Sequence, residues 1–87
     1  MNSNSKDFLN AADSVKKLTF TPKNDELLTL YGLYKQAVDG DINSTRPSFL
    51  YYREQKKWDA WNNCKGMNRE SAEAKYIQLV NTLFKNK

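Results

Sequence analysis

A short segment of the chain combines aromatic and basic side chains at helical spacing. Tyr31 and Lys35 are four residues apart, so they share one face of a helix, and Tyr34 stands beside Lys35. Arg53 and Lys57 repeat the four-residue spacing further along the chain. An aromatic ring beside an ammonium group can hold a planar base and a phosphate, which favours an anionic ligand with an aromatic part. Each pair taken alone is more typical of an ordinary solvated helix face.

Catalytic chemistry is poorly supported by the composition. The chain has 87 residues, no histidine and one cysteine, Cys64. Without histidine the most common general base, the Ser-His and Cys-His nucleophile pairs and the mixed Cys/His zinc sites are all excluded. The ten acidic residues lie mostly at helix starts or beside lysines, rather than in pairs that converge in a cleft. We therefore predict a binding protein with no catalytic residues, no metal site and no cofactor.

Length and charge narrow the class of protein further. A chain of this length predicts one domain over residues 1–87, with a thin core. The net charge of +4 favours an anionic partner, which phosphate, a lipid headgroup or nucleic acid would all satisfy. No apolar run approaches the length of a membrane span, and residues 1–5 lack the pattern of a signal peptide. A single cysteine suits a reducing compartment, so we expect a cytoplasmic protein that need not be more than a monomer.

Four helical patterns, and no convincing strand alternation, predict an all-α fold. The predicted helices span about residues 5–18, 25–39, 50–64 and 68–85. Pro22 ends the first pattern, because the residue before a proline avoids the helical conformation. Asn24 and Asn68 are predicted N-caps of the second and fourth helices, and Gly40 and Gly66 suit the C-terminal ends of the second and third.

The second predicted helix is more apolar than a surface helix of a small protein requires. Its apolar and aromatic positions cover roughly 220° of the helix circumference, about twice the arc that such a helix buries. One explanation is a central helix contacted on several sides. The other is that one stripe builds the core while the adjoining stripe lines a ligand groove. The tyrosines favour the groove, because a tyrosine suits the border between core and water.

Two other features receive structural interpretations. Trp58 and Trp61 are three residues apart on one helix face, and we predict that they pack in the core. Arg46 precedes a proline that stiffens the loop, and its guanidinium is expected to pair with a carboxylate or a helix C-terminus.

Several local patterns, each weak alone, occur together in one order. They are residues 31–37, 40–43, 46–47, 57–62 and 76–77. In this order and at this spacing they closely resemble the acyl-CoA-binding protein family, from about Phe8 to Leu83 without an obvious gap. The resemblance implies an up-down-down-up bundle of four helices with a long connection between the second and third. It also implies non-catalytic binding, transport and buffering of medium- to long-chain fatty acyl-CoA esters in a shallow groove.

The resemblance further implies a set of ligand-binding residues, distributed over the four predicted helices. The set is Lys16, Leu27, Leu28, Tyr31, Gly32, Leu33, Tyr34, Lys35, Arg53, Lys57 and Tyr76. By their match to the family motif, Tyr31, Lys35 and Lys57 would hold the 3′-phosphate of CoA. Tyr34 would flank the adenine, and Tyr76 would contact the CoA moiety.

The remaining matches concern the edges of the implied site. Lys16 matches a basic position near the nucleotide, and Leu27 and Leu28 match positions that touch the acyl chain. Arg53 stands where the family frequently has lysine, which keeps the charge but changes the reach and the donor geometry. Residues 49–52 make the entrance to the third helix more aromatic than is usual in the family, so the preferred acyl length stays open.

Two other classes of function remain beside acyl-CoA binding. A small helical nucleic-acid module would use the basic charge, but the acids between the basic residues argue against it, and its affinity should fall steeply with salt. A helix-based adaptor for proteins or membrane surfaces would bind liposomes without acyl-CoA. We expect long-chain acyl-CoA as the partner, with no nucleic acid and no stable membrane insertion. Contacts with acyl-CoA-using enzymes or membranes would be transient.

Overall fold

The computed structural model describes residues 4–85, and this part of the chain contains helices and no strand. The helices are α1 (Lys6–Ser14), continued by a 3-10 turn (Val15–Lys17), then α2 (Asn24–Asp39), α3 (Tyr52–Asn62) and α4 (Arg69–Lys85). The prediction of an all-α, four-helix fold is confirmed. Within residues 4–85, no helix has the apolar length that a membrane span requires.

Hydrogen bonds between helix ends fix the directions of the helices. Asn4, just before α1, donates from Nδ2 to the carbonyl of Ala37 near the end of α2 (2.9 Å) and to Glu73 near the start of α4 (2.8 Å). Trp61, at the end of α3, donates from its indole nitrogen to the carbonyl of Gly40 at the end of α2 (2.8 Å). Therefore α1 and α4 run in one direction, while α2 and α3 run in the other. This is the up-down-down-up arrangement that the family resemblance implies.

The buried core lies between α1, α2 and α4. Its largest fully buried side chains are Phe8, Val80 and Leu83. By contrast, α3 contains no buried residue and packs on α2 from one side. The two helices approach closely at Gly32, where an added Cβ would lie 2.4 Å from the carbonyl oxygen of Ala60. α2 is therefore a central helix, contacted by α4 and α3 on different faces.

Polar side chains close one end of the bundle. The Gln36 side chain is buried and donates to the carboxylate of Asp41 and to the carbonyl of Met67, both at 2.8 Å. The same carboxylate oxygen of Asp41 accepts the backbone N–H of Gly66 at 2.8 Å. These bonds join the end of α2 to the turn between α3 and α4, at the end of the bundle where Asn4 also bonds.

The ends of two helices differ from the predictions. The prediction of Asn24 as an N-cap is wrong, because α2 already includes Asn24 and its cap is Lys23. The reason is that Glu26, in the first turn, accepts the backbone N–H of Lys23 (2.8 Å) and satisfies it from inside the helix. The predicted cap at Asn68 is confirmed, since its side-chain oxygen accepts the N–H of Ser71 (2.8 Å).

The first and third helices are shorter than predicted. α1 ends at Ser14, and the chain tightens into the 3-10 turn instead of continuing as an α-helix to Leu18. α3 begins at Tyr52, because the residues before it form a separate turn closed by the bond from Tyr51 N–H to the carbonyl of Ser48 (2.9 Å).

The connection between α2 and α3 is held to α3 by side chains. Arg46 makes two parallel hydrogen bonds to the carboxylate of Asp59, at 2.8 and 2.9 Å, which confirms its structural interpretation. The indole nitrogen of Trp58 donates to the carbonyl of Ser44 (3.0 Å). Trp58 and Trp61 are half-buried and lie outside the buried core. Each indole N–H donates to a backbone carbonyl, that of Trp58 to Ser44 and that of Trp61 to Gly40. The two side chains therefore hold the connection against α3 instead of filling the core.

A buried carboxylate fastens the start of α1. Glu73 is nearly fully buried and accepts hydrogen bonds from Asn4 Nδ2 (2.8 Å) and from the backbone N–H of Ser5 (3.0 Å). Burial alone would raise the pKa of the Glu73 carboxyl, but these hydrogen bonds and the charge of Arg69 outweigh it. The pKa therefore lies below its usual value of 4.5. Ionised Glu73 stabilises the fold at neutral pH, and this contribution is lost as the pH falls through the lowered pKa.

Glu73→Gln is expected to remove this pH-dependent contribution. The difference in unfolding free energy between the wild type and the variant should be largest near neutral pH. It should shrink as the pH falls through the lowered pKa of Glu73, because the wild-type carboxyl is then protonated as well. Urea unfolding followed by circular dichroism at several pH values measures this. Glu70→Gln, in the exposed first turn of α4, is the matched control for the loss of one negative charge from the same helix. A Glu73→Gln difference that stays constant with pH would contradict the assignment.

Candidate functional site

A groove of about 440 Å³ opens between the end of α1 and the first half of α2. A volume of this size is typical of small-molecule sites. Its apolar lining comes from the end of α1, the segment that follows it, and one face of α2. These residues are Val15, Leu18, Phe20, Pro22, Leu27 and Leu30. The groove can therefore bury an apolar chain.

Thr21 lines the groove, and so do four other polar side chains. Lys16 comes from the 3-10 turn, Tyr31 and Tyr34 from α2, and Tyr76 from α4. All four belong to the site predicted from the sequence, as does Leu27 in the apolar part. The structure thus brings these residues from three separate segments to one surface.

A cluster of three aromatic rings connects the groove to the core. The Phe8 ring stacks on Tyr34 with 5.7 Å between centroids and meets Tyr76 edge-on at 5.1 Å, while Tyr34 and Tyr76 are 6.1 Å apart. Phe8 is fully buried, whereas Tyr34 is exposed at the groove. Burial and the neighbouring Tyr34 raise the pKa of Tyr76, so its phenol stays neutral at physiological pH. Because the Tyr34 ring stacks on the buried Phe8 ring, the position of Tyr34 in the groove depends on core packing.

Tyr31 and Lys57 meet at the rim between α2 and α3. The ammonium nitrogen of Lys57 lies 5.5 Å from the centroid of the Tyr31 ring, within the range of a cation–π contact. Among residues 4–85, Lys57 makes no ion pair. Its charge is therefore available to an anion bound beside the Tyr31 ring.

Lys35, by contrast, is already engaged. Its ammonium lies 2.6 Å from a carboxylate oxygen of Asp39 and 4.9 Å from the ring centroid of Trp61. The hydrogen bond to Asp39 outweighs the opposing effect of burial and raises the pKa of Lys35 above its usual 10.5. Lys35 does not line the groove. An anion that binds Lys35 would have to compete with Asp39.

The other predicted site residues lie elsewhere on α2 and α3. Leu28 and Leu33 line a separate crevice of about 280 Å³ between these two helices. Gly32 faces the backbone of α3 at the helix crossing. Arg53 is exposed one turn before Lys57 and makes no ion pair in the described part of the chain. The structure does not bring these four residues to the groove.

Six lining residues are absent from the site predicted from the sequence, namely Val15, Leu18, Phe20, Thr21, Pro22 and Leu30. Val15 and Leu18 lie on the apolar face of the first helical pattern, where nothing distinguishes a groove position from a core position. Phe20 belongs to the segment that ends this pattern, so helical periodicity assigns it no partner. An aromatic residue in so polar a segment, Thr19–Pro22, is the available signal that it packs against something.

Comparison with known proteins gives consistent matches. The family profile described as "Acyl CoA binding protein" matches residues 5–80. The acyl-CoA-binding protein of Dictyostelium discoideum is 49% identical over 76 residues, which cover 87% of this chain and 90% of that protein. The acyl-CoA-binding protein of Gossypium hirsutum is 46% identical over 78 residues, 90% of this chain and 88% of that protein.

Solved structures agree with the fold. The crystal structure of Oryza sativa acyl-CoA-binding protein 2 superposes with a TM-score of 0.90 and 38% sequence identity. The similarity covers 93% of this chain and 88% of the rice chain.

Proposed function

Because the chain belongs to the acyl-CoA-binding protein family, we propose that it binds medium- to long-chain fatty acyl-CoA esters and catalyses no reaction. It would carry or buffer these esters in the cytoplasm. The observation that supports this most is the groove, which combines an apolar lining with Tyr31 and Tyr34 on α2 and with Lys57 over the Tyr31 ring. An amphiphile with an apolar tail and an anionic aromatic head matches this combination.

The two parts of the groove suit the two parts of such a ligand. The apolar lining around Leu27 and Leu30 would take the acyl chain. Tyr31 and Tyr34 would flank the adenine ring system and its ribose, and Lys16 and Lys57 would bind the phosphates. Lys35 would contribute once its ammonium exchanges Asp39 for a phosphate.

The physical terms are large enough for tight binding. Burying methylenes contributes about 0.8 kcal/mol each, so a dozen give on the order of 10 kcal/mol before costs. Each charge-assisted bond to a phosphate adds about 1.5–3 kcal/mol. Lost motion and desolvation offset a substantial part of this sum. The whole ligand should therefore bind far more tightly than either half.

Calorimetric titration with palmitoyl-CoA, palmitate and CoA tests the proposal. Palmitoyl-CoA should bind much more tightly than palmitate or CoA alone. Shortening the acyl chain should weaken binding by up to about fourfold for each methylene that leaves the groove. Equal binding of palmitate and palmitoyl-CoA would overturn the CoA-specific part of the proposal.

Two lysine variants test the phosphate assignment. Lys57→Ala should weaken palmitoyl-CoA binding by about tenfold or more, the effect of one charge-assisted bond. Lys35→Ala should weaken binding less, because Lys35 must give up its ion pair with Asp39 before it can bind a phosphate. Both should fold normally, since Lys57 makes no ion pair among the described residues and the partly exposed pair of Lys35 with Asp39 contributes little to stability. Lys65→Ala, exposed beyond the end of α3, is the matched control. An effect of Lys65→Ala equal to that of Lys57→Ala would point to net charge alone.

A further inference from the structure

Four consecutive large side chains at the start of α3 are exposed to solvent. Phe49 is 78% exposed, Leu50 75%, Tyr51 60% and Tyr52 64%. We call residues 49–52 the aromatic patch. None of the four lines the groove. Single exposed apolar residues are common on proteins, but a contiguous run of this kind marks an interaction surface.

The aromatic patch is held in place by its backbone. The N–H of Leu50 donates to the hydroxyl of Ser48 (3.2 Å), and the N–H of Tyr51 donates to the carbonyl of the same serine (2.9 Å). On the other side, the Gln55 side chain donates to the carbonyl of Pro47 (2.8 Å). The patch is thus a fixed turn that presents apolar side chains to solvent.

A cationic strip adjoins the aromatic patch. At about 100° per residue, Tyr52, Arg53, Lys56 and Lys57 fall within an arc of about 140° on α3, and this arc contains no acidic residue. The Lys56 ammonium lies 5.3 Å from the centroid of the Tyr52 ring. Among the described residues, none of the three cations makes an ion pair.

Two acids lie near Lys56, since Asp25 of α2 and Asp59 line the same crevice as this lysine, but neither forms an ion pair with a cation of the strip among the described residues. Asp59 lies next to the strip on α3, but Arg46 already binds both of its carboxylate oxygens. Glu54 lies on the opposite half of the helix. The surface beside the aromatic patch is therefore complementary to an anionic partner.

The aromatic patch and the groove lie at the same end of the bundle. Because α2 and α3 run in the same direction, the start of α3 and the first half of α2, which lines the groove, are at the same end of the bundle. The contact between Lys57 and the Tyr31 ring joins the two surfaces.

We propose that the aromatic patch docks on anionic membranes. Its side chains would enter the headgroup boundary while Arg53 and Lys56 bind anionic headgroups. Large aromatic side chains with polar tips suit this boundary, and adjacent cations strengthen binding to anionic lipid. Consecutive side chains of a turn spread in different directions, which a fluid interface accommodates more readily than the rigid surface of a partner protein. The purpose of docking, which rests on the proposed function, is to place the groove beside a bilayer that contains acyl-CoA.

Vesicle flotation of the ligand-free protein tests docking. The probes are phosphatidylcholine vesicles, alone or with about 30% phosphatidylserine. The wild type should float with the phosphatidylserine vesicles, and less so as salt increases. A Phe49→Ser, Leu50→Ser double variant should partition at least about tenfold more weakly. Leu9→Ser, which removes another exposed leucine (53%) on α1, should float like the wild type.

A charge-reversal variant and measurements without vesicles complete the test. Lys56→Glu should reduce flotation with phosphatidylserine vesicles several-fold and leave the weak binding to pure phosphatidylcholine unchanged. In buffer without vesicles, the double variant should keep its melting temperature and its palmitoyl-CoA affinity within about twofold, since the patch is exposed and outside the groove. Flotation is measured without ligand, so a failure of acyl-CoA binding would not contradict docking. A failure of docking would likewise not contradict acyl-CoA binding.

Three results would overturn docking. They are no flotation of the wild type, equal flotation of the double variant, and loss of palmitoyl-CoA affinity in the double variant without loss of flotation. Concentration-dependent self-association that the double variant abolishes, in a wild type that does not float, would assign the aromatic patch to a second copy of the chain instead.

Discussion

Phe8→Ala is expected to lower the free energy of unfolding by about 3–5 kcal/mol. Phe8 is fully buried, and its ring contacts those of Tyr34 and Tyr76 at 5.7 and 5.1 Å. Truncation loses the transfer free energy of the ring and leaves a cavity that neighbouring helices fill only partly. Small domains have a total stability of about 5–15 kcal/mol, so this variant should be close to unfolding at ambient temperature.

Urea unfolding of the wild type, Phe8→Ala and Phe8→Leu measures this effect. Phe8→Leu should lose less, because it keeps most of the apolar volume. Phe49→Ala removes an equally large side chain from an exposed position and should change stability by no more than about 0.5 kcal/mol. Similar losses at Phe8 and Phe49 would contradict the assignment of the core. Since Tyr34 stacks on Phe8, any folded Phe8→Ala protein should also bind palmitoyl-CoA more weakly.

Gly32→Ala is expected to destabilise the protein by about 1–3 kcal/mol or more. In an ordinary helix interior the same change is favourable by about 1 kcal/mol. Here the new methyl group would lie 2.4 Å from the carbonyl oxygen of Ala60 and 2.8 Å from its carbonyl carbon. Both are backbone atoms, so the clash cannot be relieved by a side-chain rotation. The helix α3 must move away from α2, and Lys57 moves with it.

The test combines urea unfolding with palmitoyl-CoA titration. Gly32→Ala should reduce both stability and affinity, because it separates Lys57 from the Tyr31 ring. Gly66→Ala is the matched control, since Gly66 has a φ of 90° but open space around its Cβ position. It should cost stability through backbone strain and leave affinity unchanged. A more stable Gly32→Ala protein would show that the crossing of α2 and α3 adapts freely.

The helices were predictable because their signals are local. Apolar periodicity located all four, and the Asn68 cap and the Gly40 terminus depend on residues within a turn of the helix end. The N-cap of α2 was predicted wrongly because Glu26 accepts the N–H of Lys23. Asn24 as a cap and Glu26 bonded to Lys23 are alternative local arrangements, and composition does not decide between them.

The site was predictable where one helix carries it. Helical spacing places Leu27, Tyr31 and Tyr34 on one face of α2, but only the family resemblance assigned them to the ligand, and it did the same for Lys57 beside Tyr31. Leu28 and Leu33 lie in the crevice beside α3, because the side of α2 that a residue faces depends on where α3 packs. The pairing of Lys35 with Asp39 follows the i,i+4 spacing of opposite charges on a helix, and it was available from the sequence.

The hydrogen bonds around Gln36, Asp41 and Asn4 make the two ends of the bundle mechanically different. At that end, five short polar contacts tie α1, α2 and α4 together with the turn that follows α3. At the opposite end α1 has narrowed to a 3-10 turn, and its packing is chiefly against α4. Local opening should therefore begin at this second end, where Val15, Leu18 and Phe20 pack on the core but are only partly buried. The bundle could then admit a long ligand by opening locally at this end, while the end that carries the hydrogen bonds of Asn4, Gln36 and Asp41 stays folded.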